Sequence, residues 1–445
     1  MFEAVRMLSI DDGSLREPRP TPKEGGEGAA RKVGWACAAV GELGALPSSN
    51  TRNDEAESEG ATDAPGRWEQ AGPVVLSTAR QEPPPSPSDA PNQETPYEKN
   101  DERGDRDTIA TTLVRFAQAR VQLFHDLSKD AFARDVATGE VRRIDGRAFQ
   151  EWLRASYFSA TGRSAPMHAM AEAIATLTGL ARYVGHRREV HVRCARKNGA
   201  YWLDVGEPRS ARAVRIDESG WHLVEGPPCM FVRFESMHPL PLPVRGGTID
   251  AVWRLVNVPV SARLLVLAWL VDCLRPDTPF PVVELIGEQG SAKSTTQSML
   301  RRLLDPNAAD LRAAPRTVED LFVAAGSQWV VSLENVSHLP VAMQDAMCIL
   351  ATGGGLAKRR LYTDADETVI TVKRPIILNG ISANVTQQDL LDRCISIELP
   401  NIAERRDIGA LQADMEATIP RILGALLDPD GACAGAHSEG QVGAG

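Results

Sequence analysis

The chain has 445 residues, 43% of them hydrophobic, and a formal net charge of −10, which allows two or three domains with a sizeable core. Its seven cysteines (Cys37, Cys194, Cys229, Cys273, Cys348, Cys394 and Cys433) are odd in number and never spaced Cys-x-x-Cys, which argues against a disulfide framework or zinc cluster and for a reducing cytoplasm. No signal peptide opens the sequence, and the most apolar helical stretch, 264–274, is too short to cross a bilayer, so no membrane partner is expected.

The acidic surplus is local. Residues 1–104 hold 19 acidic and 11 basic side chains, and the rest holds 40 and 38. Net charge therefore neither supports nor excludes nucleic acid, and local patches decide. The segment 1–104 has no sustained hydrophobic period and contains runs such as Glu82-Pro83-Pro84-Pro85-Ser86-Pro87. It cannot bury enough apolar surface to offset its ordering entropy and reads as disordered.

Residues 105–245 read as a small α+β module. Leu113, Phe116, Ala117, Arg120, Leu123 and Phe124 fit one amphipathic helix. A strand pair over 131–144 and helices around Phe149, Trp152 and Leu153 and over 167–183 follow. The period then changes to two. Strands at 190–196 and 200–205 flank Asn198-Gly199, a strong hairpin signal, and further strands fit 212–216, 221–224 and 230–234. A basic run (His186, Arg187, Arg188, His191, Arg193, Arg196, Lys197) lies near Tyr183, Tyr201 and Trp202. It fits either a nucleic-acid surface with stacking partners or the solvated face of a strand.

Helices over 248–256 and 261–274 lead into an apolar strand, 280–286. Next come Gly287-Glu288-Gln289-Gly290-Ser291-Ala292-Lys293-Ser294-Thr295, and then Met299, Leu300, Leu303 and Leu304 at helical spacing. Strand, glycine-containing loop and helix opening on Lys-Ser is the context of a phosphate-binding P-loop. Backbone N–H groups there face phosphates, Lys293 reaches the β- and γ-phosphates, and the Ser294 hydroxyl sits on Mg²⁺. Ala292 departs from the pattern, since glycine usually precedes the lysine and its freedom from Cβ matters there.

Downstream, Thr317 reads as the N-cap of a helix with acids in its first turn. The strand 329–333 ends in Glu334-Asn335, where a carboxylate would hold the Mg²⁺ shell or orient the attacking water. Between it and the next strand lies a glycine-rich basic segment, 353–362, with Lys358, Arg359 and Arg360. Paired with 369–373, it is either a hairpin meeting phosphates in a ring's pore or a solvated loop. The strand 375–378 ends in Asn379, either a γ-phosphate contact or a turn former before Gly380. Arg393, after Asp392, is either an arginine finger in a neighbour's site or a cap of its own helix.

This order of motifs (287–295, Glu334-Asn335, 353–362, Asn379, Asp392-Arg393) resembles the AAA+ ATPase module of superfamily 3 helicases, as in phage, plasmid and mobile-element primase-helicases. The resemblance covers roughly 250–427. It implies an α/β P-loop NTPase fold of AAA+ type, with a mostly parallel sheet, helices on both faces and an ATPase domain over 246–427. It also implies ATP and Mg²⁺, a homo-oligomeric ring, and a helicase motor on single-stranded or forked DNA, with a primase or polymerase as a further partner. By position, Lys293 and Ser294 bind nucleotide and metal, Glu334 serves metal or water, Asn379 is the sensor, Arg393 the finger in trans, and 358–360 the DNA loop. Two features depart: Ala292, and the irregular tail 428–445, which reads as a shortened lid without a second sensor arginine. They leave open an alternative, a non-hydrolysing ATP-dependent scaffold or switch, or an inactive relative. No primase, nuclease or Ser/His/Asp constellation is present, and nothing resembles the acceptor site of a small-molecule kinase.

Overall fold

The computed structural model describes residues 108–359, 367–402 and 404–428. Thr108 caps helix α1 (Ile109–Gln118) by accepting the Thr111 N–H. Strands β1 (Val121–His125), β2 (Ala131–Asp135) and β3 (Val141–Arg143), helices α2 (Arg147–Thr161) and α3 (Met167–Tyr183), and strand β4 (His186–Arg187) follow. The sheet runs β3-β2-β1-β4. Leu113, Leu153, Met170 and Leu177 of the helices pack on one face, with Val121 and Ala133. The first helix is shorter than its period suggests. Leu123 and Phe124 lie in β1, where alternation sends Leu123 to the helices and Phe124 to the opposite core.

Strands β5 (Val190–His191), β6 (Cys194–Lys197), β7 (Ala200–Asp204), β8 (Arg212–Asp217), β9 (Gly220–Glu225) and β10 (Met230–Phe231) come next. β6 to β9 form an antiparallel meander, and β5 pairs with β10. Asn198 (φ 52°) and Gly199 (φ 74°) both take the left-handed conformation that a two-residue hairpin turn demands. The strand expected over 190–196 is broken at Arg193, whose φ of 60° ends β5 and turns the side chain inward. Arg193 is fully buried, its Nε 3.1 Å from Asp305 Oδ1. Its guanidinium also donates to the carbonyls of Asp204 and His238. The basic run is therefore not one surface. Arg193 belongs to the interior, Arg196 pairs with Asp277 at 2.6 Å, and Arg187 and Arg188 are exposed.

The second half begins with a 3-10 turn, Ile249–Arg254, tighter and shorter than the expected helix. Then come α4 (Val260–Asp272), β11 (Val282–Ile286), α5 (Lys293–Leu304), β12 (Arg312–Ala313), α6 (Val318–Gly326), β13 (Val331–Glu334) and α7 (Val341–Thr352). Thr317 caps α6 by accepting the Asp320 N–H. A two-stranded antiparallel ribbon, β14 (Gly355–Arg359) with β15 (Glu367–Thr371), precedes β16 (Ile376–Gly380), α8 (Gln388–Leu391), β17 (Cys394–Glu398) and α9 (Ile408–Leu427). Five of these strands form an all-parallel sheet in the order β12-β13-β16-β11-β17. Its inner strands are buried on both faces, which is why they read as unbroken apolar runs. Val283, Leu285 and Ile377 pack with α4, α5 and α9, whereas Val282, Val331, Leu333, Ile376 and Leu378 pack with α6, α7 and α8.

Helix α9 carries Pro420 in its interior, a change that costs about 3 kcal/mol in an isolated helix. Packing outweighs it. Ile422, Leu423, Leu426 and Leu427 are fully buried, each contributing roughly 1.5–3 kcal/mol. The Pro420 carbonyl accepts the Val244 N–H at 2.8 Å, and the Gly424 carbonyl accepts Trp221 Nε1–H at 3.0 Å. One buried cluster thus runs from Phe124 to Leu427, across residue 245.

Asp305 joins both halves. Its Oδ2 accepts the N–H groups of Trp329 and Val330 at 2.9 and 3.1 Å, and its Oδ1 takes Arg193. Replacing Asp305 by Ala leaves a buried guanidinium uncompensated and two N–H groups unpaired. The expected loss is about 3–5 kcal/mol, read as a lowered urea midpoint; an unchanged midpoint would refute the role.

Candidate functional site

β11 runs into the loop 287–292 at the carboxyl edge of the sheet. The first glycine is sterically required: a Cβ on Gly287 would lie 2.6 Å from Ser291 Oγ and 2.9 Å from the Leu399 carbonyl. Ser291 is fully buried and its hydroxyl donates to the Glu288 carbonyl at 2.9 Å. Glu288 and Gln289 are exposed, and Glu288 Oε2 accepts Asn401 Nδ2–H at 2.9 Å. Gly290 and Ala292 are left-handed, with φ of 98° and 54°. Left-handed residues in such a loop turn N–H groups into an anion-binding concavity. Ala292 thus adopts the conformation of the glycine it replaces, at roughly 1–2 kcal/mol for its methyl group.

Lys293 opens α5 and folds back over the loop, Nζ donating to the Gly287 and Glu288 carbonyls at 2.7 and 2.8 Å. Burial against the loop lowers the pKa of its ammonium. Ser294 and Thr295, in the first helical turn, are half-buried. The donor set suits a polyphosphate with Mg²⁺: an ammonium, a helix N-terminus and hydroxyls, with no anionic group on the loop beyond Glu288.

Glu334 ends β13, and Asn379 stands one residue before the end of β16, the strand between β13 and the loop strand β11. Ser332 and Ile377 lie on the face of the sheet that carries α5, so Glu334 and Asn379, two residues further on, point to that face as well. Gln297 of α5 bridges the two strands. Its Nε2 donates to Ser332 Oγ (2.8 Å) and the Leu333 carbonyl (3.0 Å), and its Oε1 accepts Asn379 Nδ2–H (2.7 Å). Asn379 Oδ1 accepts the Asn335 N–H at 2.9 Å, so Asn379 is fully buried and holds the turn after Glu334. Glu334 itself is half-buried.

Arg393 lies at the opposite edge. Cys394 pairs with Val282, the first residue of β11, so Arg393 stands at the far end of the strand from its own P-loop. Its guanidinium donates to the Asp389 carbonyl of α8. The basic segment forms the ribbon β14–β15, which carries the backbone of Lys358 and Arg359; Arg360 lies outside the described residues.

Three residues at this edge escaped sequence reasoning. Gln297 is one. Asn257 is another: its Nδ2 donates to the carbonyls of Ser291 (2.9 Å) and Pro400 (2.6 Å), and its N–H to Thr296 Oγ1 (3.0 Å). The third is Arg405, exposed, with a guanidinium nitrogen 3.3 Å from the Cβ position of Gly290. An arginine from the segment between β17 and α9 therefore stands beside the loop; the tail 429–445, where no second sensor arginine was expected, lies outside the described residues. Nearby, Ala251, Arg254, Leu255, Arg406, Asp414 and Thr418 line a cavity of about 450 Å³, within the range of small-ligand pockets.

The strain at Ala292 is testable. Ala292→Gly should raise the free energy of unfolding by about 1 kcal/mol, because it removes the Cβ penalty at a positive φ. Chemical denaturation measures this, and a loss of stability would show that the methyl group packs favourably.

Residues 249–441 match the family described as "Actinomycete integrative conjugative element replication protein". No curated protein matches the chain. Among solved structures, the NrS-1 C-terminal region matches with a TM-score of 0.41 at 15% identity, over 70% of this chain and 68% of that one. SCCmec type IV Cch, an active helicase, matches at 0.38 and 11%, over 69% and 59%. JCV helicase matches at 0.28 and 12%, over 44% and 59%. From the 3-10 turn through α9, the chain is therefore similar to a family of replication proteins.

Proposed function

We propose that this chain is an ATP-binding replication protein whose P-loop half works as a ring-forming ATPase and DNA helicase motor. One observation carries the reading: the Asn379 strand lies between the Glu334 strand and the P-loop strand in an all-parallel sheet, and all three ends meet one helix face. The similarity to a replication family over 249–441 supports the same assignment.

ATP with Mg²⁺ supplies the phosphoanhydride bond whose hydrolysis drives movement on DNA. The loop 287–292 and the start of α5 would hold the phosphates, Lys293 would leave its carbonyl partners for the β- and γ-oxygens, and Ser294 and Glu334 would hold the metal. Asn379, fixed by Gln297, would sense the γ-phosphate through its effect on the Glu334 turn. The cavity between 251–255 and 406–418 would take the base. Arg393 would act on the site of the next subunit, since its own P-loop lies at the other end of β11. In the ring, 358–360 would contact DNA phosphates. The methyl group of Ala292, where glycine usually precedes the lysine, favours a second reading, a switch that binds ATP without turning it over and recruits a primase or polymerase.

Steady-state ATPase with and without single-stranded DNA separates the two readings. In the motor reading, Lys293→Ala abolishes ATP binding, and Arg393→Ala keeps binding but loses roughly 10³–10⁵-fold in turnover. Mixing the two inactive variants restores part of the activity, because some interfaces then carry both groups. Full turnover by Arg393→Ala would leave that arginine as the cap of α8 alone.

A further inference from the structure

The corner where the turn 126–130, the end of α3 and β4 meet has no part in the nucleotide chemistry, yet its surface is unusual. Leu127, Tyr183 and Val184 are 80%, 84% and 75% exposed. Three large apolar side chains left in water on neighbouring segments mark an interaction surface. Cations surround them. Lys129 Nζ stands 5.7 Å over the Tyr183 ring, and Arg182 Nε donates to the Lys129 carbonyl at 3.0 Å. Arg187 pairs in register with His125, whose ring nitrogen meets the Ala181 carbonyl, so Arg187 lies on the helix side of the sheet with Tyr183.

None of the nearby acids pairs with these cations. Asp130 pairs with Arg143 at 2.8 Å, Asp126 accepts the Asp130 N–H, and Glu189 faces His191. Among the described residues, Lys129, Arg182 and Arg187 have no carboxylate partner. Lys129 is itself left-handed, at φ 62°. A lysine in that conformation costs about 1 kcal/mol or more where Gly or Asn would cost little, and such strain persists chiefly at functional sites.

We infer that this corner binds single-stranded nucleic acid, with a base stacked on Tyr183 and the backbone phosphates on Lys129, Arg182 and Arg187. An exposed ring flanked by cations that no carboxylate neutralises is the combination that single-strand binders use, and it is tolerant of sequence. A single strand accounts for the ring and the cations together, its bases stacking on the one and its phosphates meeting the others. The site is separate from the 358–360 ribbon and needs neither ATP nor a ring, so it stands independently of the ATPase reading.

Fluorescence anisotropy with a labelled oligothymidylate and the full chain, without nucleotide, tests it. Tyr183→Ala should weaken binding roughly 5- to 150-fold, and Tyr183→Phe should retain it. Arg187→Ala should reduce the slope of log affinity against log salt by about 0.7, the share of one single-strand phosphate contact. Arg188→Ala, on the opposite face of the strand, should leave the affinity near wild type. All of these side chains are exposed, so folding should survive. Effects that persist in a Lys358→Ala background place the contact here rather than in the ribbon. Unchanged affinity and slope in Tyr183→Ala with Arg187→Glu overturn the inference; if the same variant alters sedimentation, the corner is a self-association surface instead.

Discussion

The site depends on the buried amide of Gln297. Its nitrogen faces the carbonyls of Leu333 and Ile377, which only accept, so the amide can point one way only. Each bond is worth about 1 kcal/mol net, but leaving the amide unsatisfied would cost about 1–3 kcal/mol. That asymmetry fixes the depth and rotation of α5 against the sheet. Lys293 and Ser294 begin the same helix, so their position relative to Glu334 is set from one turn inside the core.

A second polar anchor works on the other face of β11. Glu284 is fully buried and accepts the Asn384 N–H at 2.6 Å, the Val385 N–H at 3.3 Å and the Ser396 hydroxyl at 3.2 Å. It holds the turn after Asn379 and the strand after Arg393 to the P-loop strand. The amide on one face ties α5 to β13 and β16, and the carboxylate on the other ties the 384–385 turn and β17 to β11, so the two anchors together hold four neighbouring strands and the P-loop helix in one frame.

Much of this was legible because local pattern and fold agree. The doubly buried strands read as apolar runs, Asn198-Gly199 demanded its turn, and Thr317 announced α6. What was hidden is non-local. Arg193 looks like its exposed neighbours, and only Asp305, 112 residues away in the chain, draws it inward. Gln297 reads as an ordinary polar helix position, because nothing nearby reveals three acceptors waiting in the sheet. Asn257 and Arg405 reach the loop from outside the motif. Leu123 and Phe124 continue the helical spacing of α1, but their tertiary partners sit on two faces of a strand.

The pairing of Arg193 with Asp305 constrains how such a chain can change over time. Losing Arg193 strands a buried carboxylate, and losing Asp305 strands the guanidinium groups of Arg193 and Arg301 together with two backbone N–H groups. Descendants should therefore keep both residues or rebuild the whole cluster around Asp305, with little in between. The two positions form a covarying couple that records whether the meander and the P-loop half have travelled together or been recombined from different parents.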